Sequence, residues 1–381
     1  MFNRAGHEAI VFSPGNNKTV KKKYYTEKII GPAETGKMAY MLENIWLAFF
    51  SRSYYHRRIN KNRILIRALK EFNPDIVITS AQSFNELLIK YKKDYNPDVK
   101  IIATTDDIRG AELNIKAVRE GYRHGTIKER LLYPLAFVVT SGDLRYTRSL
   151  YKECIEKYDA ITYVSHEDMV AAEMMYPAFS KNFHVIPPPN NFTGVINPKL
   201  RSTAKYILFL GNCLHKPSII ARNEIIKQIA PNTKDLDFIL TGADCNRFKK
   251  QNIHSIGFVK NINKVVASSD ICIAPLKFGS GLKVKILYYF SSGKPVIGTR
   301  IAFEGFPVKH MRDCIIEDDI SKYPKILTSL SKNFKLRKKL SYGALKVSSN
   351  FSEDNINRLW SDLFSSLSVF QKGKPNKNQK R

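Results

Sequence analysis

Residues 270–299, DICIAPLKFGSGLKVKILYYFSSGKPVIGT, decide the fold. A short β-branched run at 271–275 reads as a buried strand. It enters a Gly-Ser-Gly turn at Gly279, Ser280 and Gly281. The spacing predicts a helix from about Leu282 to Ser291 that stops near Gly293, and Pro295 opens a second strand. Strand, turn, helix and strand within thirty residues is the unit of a parallel α/β sheet. A glycine-flanked turn at a helix start presents unpaired backbone N–H groups, and the helix dipole favours negative charge there. Lys283 and Lys285 fall in the first helical turns, where their charge opposes the dipole. A bound anion relieves that conflict, and a diphosphate has the right charge and size. Turns of this kind also occur with no ligand.

The same alternation extends in both directions. Strand-like runs lie at 9–13, 75–79, 100–104, 160–164, 206–211, 237–242, 270–275 and 295–299, separated by helix-length stretches. This predicts an α/β protein with doubly wound parallel sheets. The segment HVIPPPNN, 184–191, breaks the pattern, because three consecutive prolines continue neither a helix nor a central strand. The expected organisation is an N-terminal Rossmann-like domain over 1–188 and a linker over 189–204. A second Rossmann-like domain follows over 205–350, with the two facing a cleft. Residues 351–370 are expected to form a helix that packs back on the first domain. The basic segment QKGKPNKNQKR, 371–381, reads as a disordered tail.

The 381 residues suit two domains. No run reaches about 18 apolar residues, and the N-terminus shows no basic head before an apolar stretch, so neither a spanning helix nor a signal peptide is expected. The expected location is the cytoplasm. The formal charge is +28, from 62 basic and 34 acidic residues. That excess reflects either a polyanionic neighbour or a general lysine bias. No nucleic-acid-binding motif is present, so no specific nucleic acid is expected. The five cysteines are scattered, with no C-x-x-C pair, and neither a disulfide nor a zinc site is expected.

Residues 270–299 resemble the donor-site signature of the family-4-type, group 1 glycosyltransferases of the GT-B fold. Further segments are similar to that family in the same order. YILFLGNCLHKP (206–217) resembles the first strand and loop of the nucleotide-binding domain, FILTGAD (238–244) its next strand, and IHSIGFV (253–259) a following strand and turn. DAITYVSHED (159–168) and VIPPPNN (185–191) resemble the end of the acceptor domain and the interdomain linker. The resemblance implies a transferase that uses a UDP- or GDP-linked sugar as co-substrate, with no cofactor and no metal. It implies Gly279, Ser280, Gly281 and Lys283 at the donor diphosphate. Lys285 would assist there or face solvent. Lys216 would steady the leaving phosphate or be a surface lysine. Gly211, Gly242, Phe258 and Val259 would line the nucleotide, and Lys216, Lys283, Asp106 and Asp107 form the expected catalytic set.

Three positions depart from the family pattern. Tyr288 stands where the family usually carries a glutamate that binds the donor ribose. Asp106 and Asp107 follow the strand at 100–104, where a histidine is usual. The opening MFNRAGHEAIVFSPG (1–15) is similar to the end of a first helix and a second strand, so the first strand and its glycine loop are expected to be missing. The segment 37–63, KMAYMLENIWLAFFSRSYYHRRINKNR, reads either as an amphipathic helix resting on an anionic membrane or as a helix packed on the acceptor-domain sheet. The expected function is transfer of a sugar, with retention, to a glycan or lipid-linked acceptor of the cell envelope, at or near the inner face of the membrane. The alternative is a degenerate GT-B protein that binds a nucleotide sugar or a partner without turnover.

Overall fold

The computed structural model describes residues 10–14, 18–21, 26–30, 63–80, 85–105, 151–190 and 200–367 except 244 and 280, together with isolated positions between 131 and 148. By contact the chain divides into two compact units. One comprises residues 1–186 with 357–381, and the other residues 187–356. The boundary falls at the first of the three prolines.

In the first unit, β1 (Ile10–Pro14), β2 (Lys18–Lys21) and β3 (Thr26–Ile30) form a small sheet of order β1-β3-β2. The larger sheet is wholly parallel, β4 (Ile76–Ser80), β5 (Lys100–Thr105), β6 (Ala160–Tyr163) and β7 (Phe183–Val185), in that order. Its helices include α1 (Arg63–Phe72), α2 (Asn85–Asp94) and α3 (His166–Met175). Ile101 and Ile161 are fully buried and pack with Leu69, Leu88 and Tyr91 from the helices. Asp159 fixes the start of β6. It accepts from the Ile101 amide at 2.8 Å and from Lys92 Nζ at 2.6 Å.

The second unit carries a seven-stranded sheet of order β10-β11-β9-β8-β12-β13-β14. Its strands are β8 (Tyr206–Leu210), β9 (Asp237–Thr241), β10 (Phe248–Lys250), β11 (Ile253–Gly257), β12 (Ile271–Ala274), β13 (Val296–Gly298) and β14 (Ile315–Ile316). Only β10 runs antiparallel, at an edge. Ile207, Leu208, Phe209, Ile271, Cys272, Ile273, Val296 and Ile297 are buried without alternation, as expected for parallel strands covered on both faces. The helices are α4 (Lys216–Glu224), α5 (Ile262–Ser268), α6 (Val284–Ser291), α7 (Tyr323–Lys332) and α8 (Phe334–Ser349), and α9 (Glu353–Ser366) follows, its residues from Asn357 onward belonging to the first unit. Two buried charges tie the rim together. Asp270 accepts from the Lys205 and Tyr206 amides and pairs with Arg201 at 2.9 Å. Arg337 donates to the Leu330, Arg201 and Ser202 carbonyls, satisfying the end of α7.

All eight expected strands are present, each within about two residues of its expected limits. Three details differ. The helix after the Gly-Ser-Gly turn begins at Val284, because Lys283 is extended (φ −85°, ψ 95°) and serves as its cap. The proline seam begins inside β7, whose His184 and Val185 pair with β6 before the prolines stop the ladder. A disulfide joins Cys213 and Cys245, 32 positions apart, contrary to expectation. Sequence spacing hides it, because β8 and β9 are adjacent and parallel and bring the loops that follow them together. Among the described residues no helix is long and apolar enough to cross a membrane.

Candidate functional site

The strand order of the second unit locates a site before any side chain is considered. From β8 the chain moves outward to β9 and β11, then returns to place β12 on the other side of β8. Loops after β8 and β12 therefore leave in opposite directions and open a crevice at the carboxyl ends of these two strands, where open α/β sheets bind ligands. The strands also part there. The β8–β12 ladder pairs only Ile207 with Ile271 and Leu208 with Cys272. Further along, the Leu210 amide donates instead to the buried Tyr289 hydroxyl of α6 at 2.7 Å.

Two helices begin at this crevice, α4 after β8 and α6 after β12. Neither has a side-chain cap and neither carries an acidic residue in its first turn. Both carry lysine there instead, Lys216 on α4 and Lys285 on α6. In the same molecule Ser165, Asn261 and Asn333 cap α3, α5 and α8 with side-chain oxygens. Pro217 has no N–H and Ser218 N donates to the His215 carbonyl, so the uncapped starts leave the Lys216 amide of α4 and the Val284 and Lys285 amides of α6 without an intrahelical partner, and the dipoles point positive ends at the crevice.

Lys285 is the centre of the arrangement. Its Nζ donates to Ser218 Oγ on α4 at 3.3 Å and lies 4.7 Å from the centroid of the Phe209 ring in β8. Burial lowers its pKa to about 8. Among the described residues no carboxylate pairs with it, and a hydroxyl and a ring face offset its desolvation. His215, at the cap position of α4, lies 3.4 Å through Nδ1 from the same Ser218 hydroxyl. Its pKa is lowered, first by partial desolvation of the ring, although the residue remains exposed overall, and then by the Lys285 charge.

Lys283 is placed differently. It is buried, and its Nζ pairs with Glu304 Oε2 at 3.0 Å. The two flanking glycines explain how the turn fits. Gly281 has φ 64° and Gly279 has φ 139°, and a side chain at Gly279 would meet the Lys283 stem at 3.8 Å. On the other wall, Gly211 and Gly242 press together. A Cβ on Gly242 would stand 1.9 Å from the Gly211 carbonyl oxygen, so the close approach of the two loops requires glycine. Phe258 and Val259 follow β11, and Phe258 is exposed, free to offer a ring face. Tyr288 lies one turn beyond Lys285 on α6 and is half-buried.

The crevice thus joins Lys216, Lys285, Gly211 and Gly242 around the end of β8, with Gly279, Gly281 and Lys283 on the β12 side. Asp106, Asp107 and Ser280 lie outside the described residues, as do nearly all of 37–63 and all of 371–381. Sequence reasoning missed Ser218, Tyr289 and Glu304. Ser218 and Tyr289 carry no local signal. Glu304 follows the short helix capped by Thr299, and a lone carboxylate in the apolar run IAFEGFPV (301–308) was a readable hint.

Residues 204–332, which contain this crevice, match the family described as glycosyl transferases group 1. No curated protein matches the chain. Solved structures share its fold. Sucrose-phosphate synthase from Thermosynechococcus elongatus is 11% identical, covering 97% of this chain and 91% of its own, at a TM-score of 0.67. Anabaena HepE in complex with UDP is 13% identical, covering 94% and 99%, at 0.57. WaaG, a glycosyltransferase involved in lipopolysaccharide biosynthesis, is 11% identical, covering 95% and 92%, at 0.59. These likenesses give the fold as GT-B.

Proposed function

We propose, from the premise that residues 204–332 belong to the group 1 glycosyl transferases, that the chain moves a sugar from a nucleotide diphosphate donor to a hydroxyl of a glycan or lipid-linked acceptor. The observation that carries this reading is the pair of uncapped, lysine-bearing helix starts, α4 and α6, bridged by Lys285 and Ser218 at the switch point. When the bond from the sugar to the diphosphate breaks, negative charge grows on the leaving oxygen. Donors that are already fixed in place stabilise that charge with little reorganisation. The ammonium of Lys285, the amide and ammonium of Lys216 at the start of α4, and the Val284 and Lys285 amides at the start of α6 are such donors. Lys283, neutralised by Glu304, holds the turn and contributes its backbone.

The exposed ring of Phe258 and the close-packed glycines Gly211 and Gly242 border the nucleoside. UDP is the first base to test, because HepE was solved with UDP. We read the reaction as retaining and independent of a metal ion or other cofactor, as the family resemblance implies. The acceptor reading rests on that resemblance and on the +28 charge, which suits work beside an anionic membrane on its cytoplasmic side. The second reading is a protein that binds a nucleotide sugar without turnover. It is favoured by Tyr288, which replaces the family's carboxylate.

The test is a thermal-shift panel with UDP, GDP, ADP and their sugar conjugates, followed by assay of donor hydrolysis and transfer. A shift with one base and release of the nucleotide from its sugar conjugate support the transferase. A shift with no release supports the second reading. No shift with any nucleotide contradicts both.

A further inference from the structure

The Cys213–Cys245 disulfide takes no part in the transfer chemistry, yet it lies within the crevice. Cys213 sits between Gly211 and Lys216, in the loop that runs from β8 into α4. Cys245 follows Gly242 in the loop after β9. Both are half-buried, so solvent reaches the bond. The other described cysteines are buried, and burial pushes the Cys272 and Cys314 thiols up to about 12, which leaves them inert. The pair therefore differs from the rest in both place and accessibility.

Its surroundings show what it fixes. The β8–β9 ladder continues past the strand ends, with Gly211 N donating to the Thr241 carbonyl at 2.9 Å and Cys213 N to the Ala243 carbonyl at 3.0 Å. Beyond Cys213 the loop turns on its own bonds. Asn212 Oδ1 accepts from the Leu214 amide at 2.7 Å, and Asn212, Leu214, His215 and Lys216 are exposed. Among the described residues the covalent bond is thus the last tie between this loop and its neighbour before α4 begins. The loop sets where Lys216, with its amide, and Ser218 stand.

We propose that Cys213 and Cys245 form a reversible thiol–disulfide modification site that sets the affinity of the crevice for a nucleotide diphosphate, the chemical partner being a dithiol reductant. The inference rests on the nucleotide-binding reading above. The closed bond holds the tight-binding loop. A thiolate of the reductant attacks one protein sulfur and breaks the S–S bond, giving a mixed disulfide. The second thiol of the reductant then displaces the cysteine and closes its own disulfide. Two electrons and two protons pass to the protein, leaving two thiols. A small disulfide oxidant reverses the exchange. Freed from Cys245, the loop samples more conformations, and the ligand must then bear the cost of ordering it.

The experiment uses the full chain, oxidised with glutathione disulfide or reduced with dithiothreitol, with the state of each cysteine checked by alkylation and mass spectrometry. UDP affinity is measured by calorimetry, and hydrogen exchange is followed over residues 212–219. Reduction is expected to weaken UDP binding about tenfold and to speed exchange in that segment. The Cys213→Ser/Cys245→Ser variant is expected to bind like the reduced chain and to ignore dithiothreitol. Equal affinity and equal exchange in both verified states would overturn the proposal, as would a bond that never closes under oxidant. If UDP binds neither form, the nucleotide reading is what fails, and the exchange data still judge the loop. If the double variant does not fold, the comparison of the two redox states of the natural chain still decides.

Discussion

The two parallel sheets place a helix start at the carboxyl end of a strand in the same way and give it opposite electrostatics. In the first unit α3 follows β6. Ser165 caps it, accepting from the Asp168 amide and donating to the Asp168 carboxylate at 2.6 Å, and Glu167 and Asp168 supply negative charge in its first turn. That helix start is complete in itself. In the second unit α4 and α6 have no such cap and carry Lys216 and Lys285. A cap stabilises by about 1 kcal/mol and a carboxylate in the first turn by a few tenths more. The second unit forgoes both twice and adds a half-buried ammonium. Topology makes a ligand site available, and the first-turn residues decide whether the protein or a ligand fills it.

The contrast breaks most severely at its framework. Replacing Gly242 with alanine sets a methyl 1.9 Å from the Gly211 oxygen. The loops must part, and a loss of at least about 3 kcal/mol is expected in chemical denaturation, with nucleotide binding abolished. Wild-type stability after this change would show that the loops do not meet.

Lys285→Met sharpens the contrast, because stability and binding should move in opposite directions. The folded pKa is about 8 against an ordinary 10.5, so at pH 7 the charged form is held at a cost. Removing the charge is expected to raise stability by roughly 1–2 kcal/mol. It is expected to weaken diphosphate binding about 10- to 100-fold, the worth of a charge-assisted contact. A variant that loses both would make Lys285 a structural residue.

The same group fixes a pH dependence. Between about 8 and 10.5 the unfolded lysine holds its proton while the folded one has lost it, so Lys285 makes stability rise with pH across that window. Nucleotide affinity should fall over the lower part of that window as the ammonium is titrated. Lys285→Met should lack the Lys285 part of both trends, and an unchanged pair of profiles would locate the titrating group elsewhere.

The smallest effect belongs to the completed helix start. Ser165→Ala is expected to cost about 1 kcal/mol of stability and to leave nucleotide affinity unaltered. A change in affinity would mean that the first unit's helix also serves the donor.

Much of this was legible because parallel strands bury both faces and so write themselves as continuous apolar runs. Residues 206–210 and 271–274 are examples, and the glycines of 279–281 mark the turn between strand and helix. What escaped depended on elements far apart in sequence. Ser218 meets Lys285 across 67 positions, the Tyr289 hydroxyl replaces a ladder bond for Leu210 across 79, and Cys213 reaches Cys245 only through the adjacency of two strands. Lys283 and Lys285 look equivalent in the sequence. Two positions separate them, one at the extended cap and the other inside α6, and Glu304, distant in the chain, neutralises Lys283 and leaves Lys285 beside the crevice.

The central claim is that the diphosphate, held by α4, α6 and Lys285, carries donor recognition. Calorimetric titration of the chain with UDP and with uridine tests it most directly. The account predicts measurable UDP binding that Lys285→Met weakens, and uridine binding at least about 100-fold weaker than that of UDP. Equal affinity for UDP and uridine, or UDP binding indifferent to Lys285→Met, would contradict it.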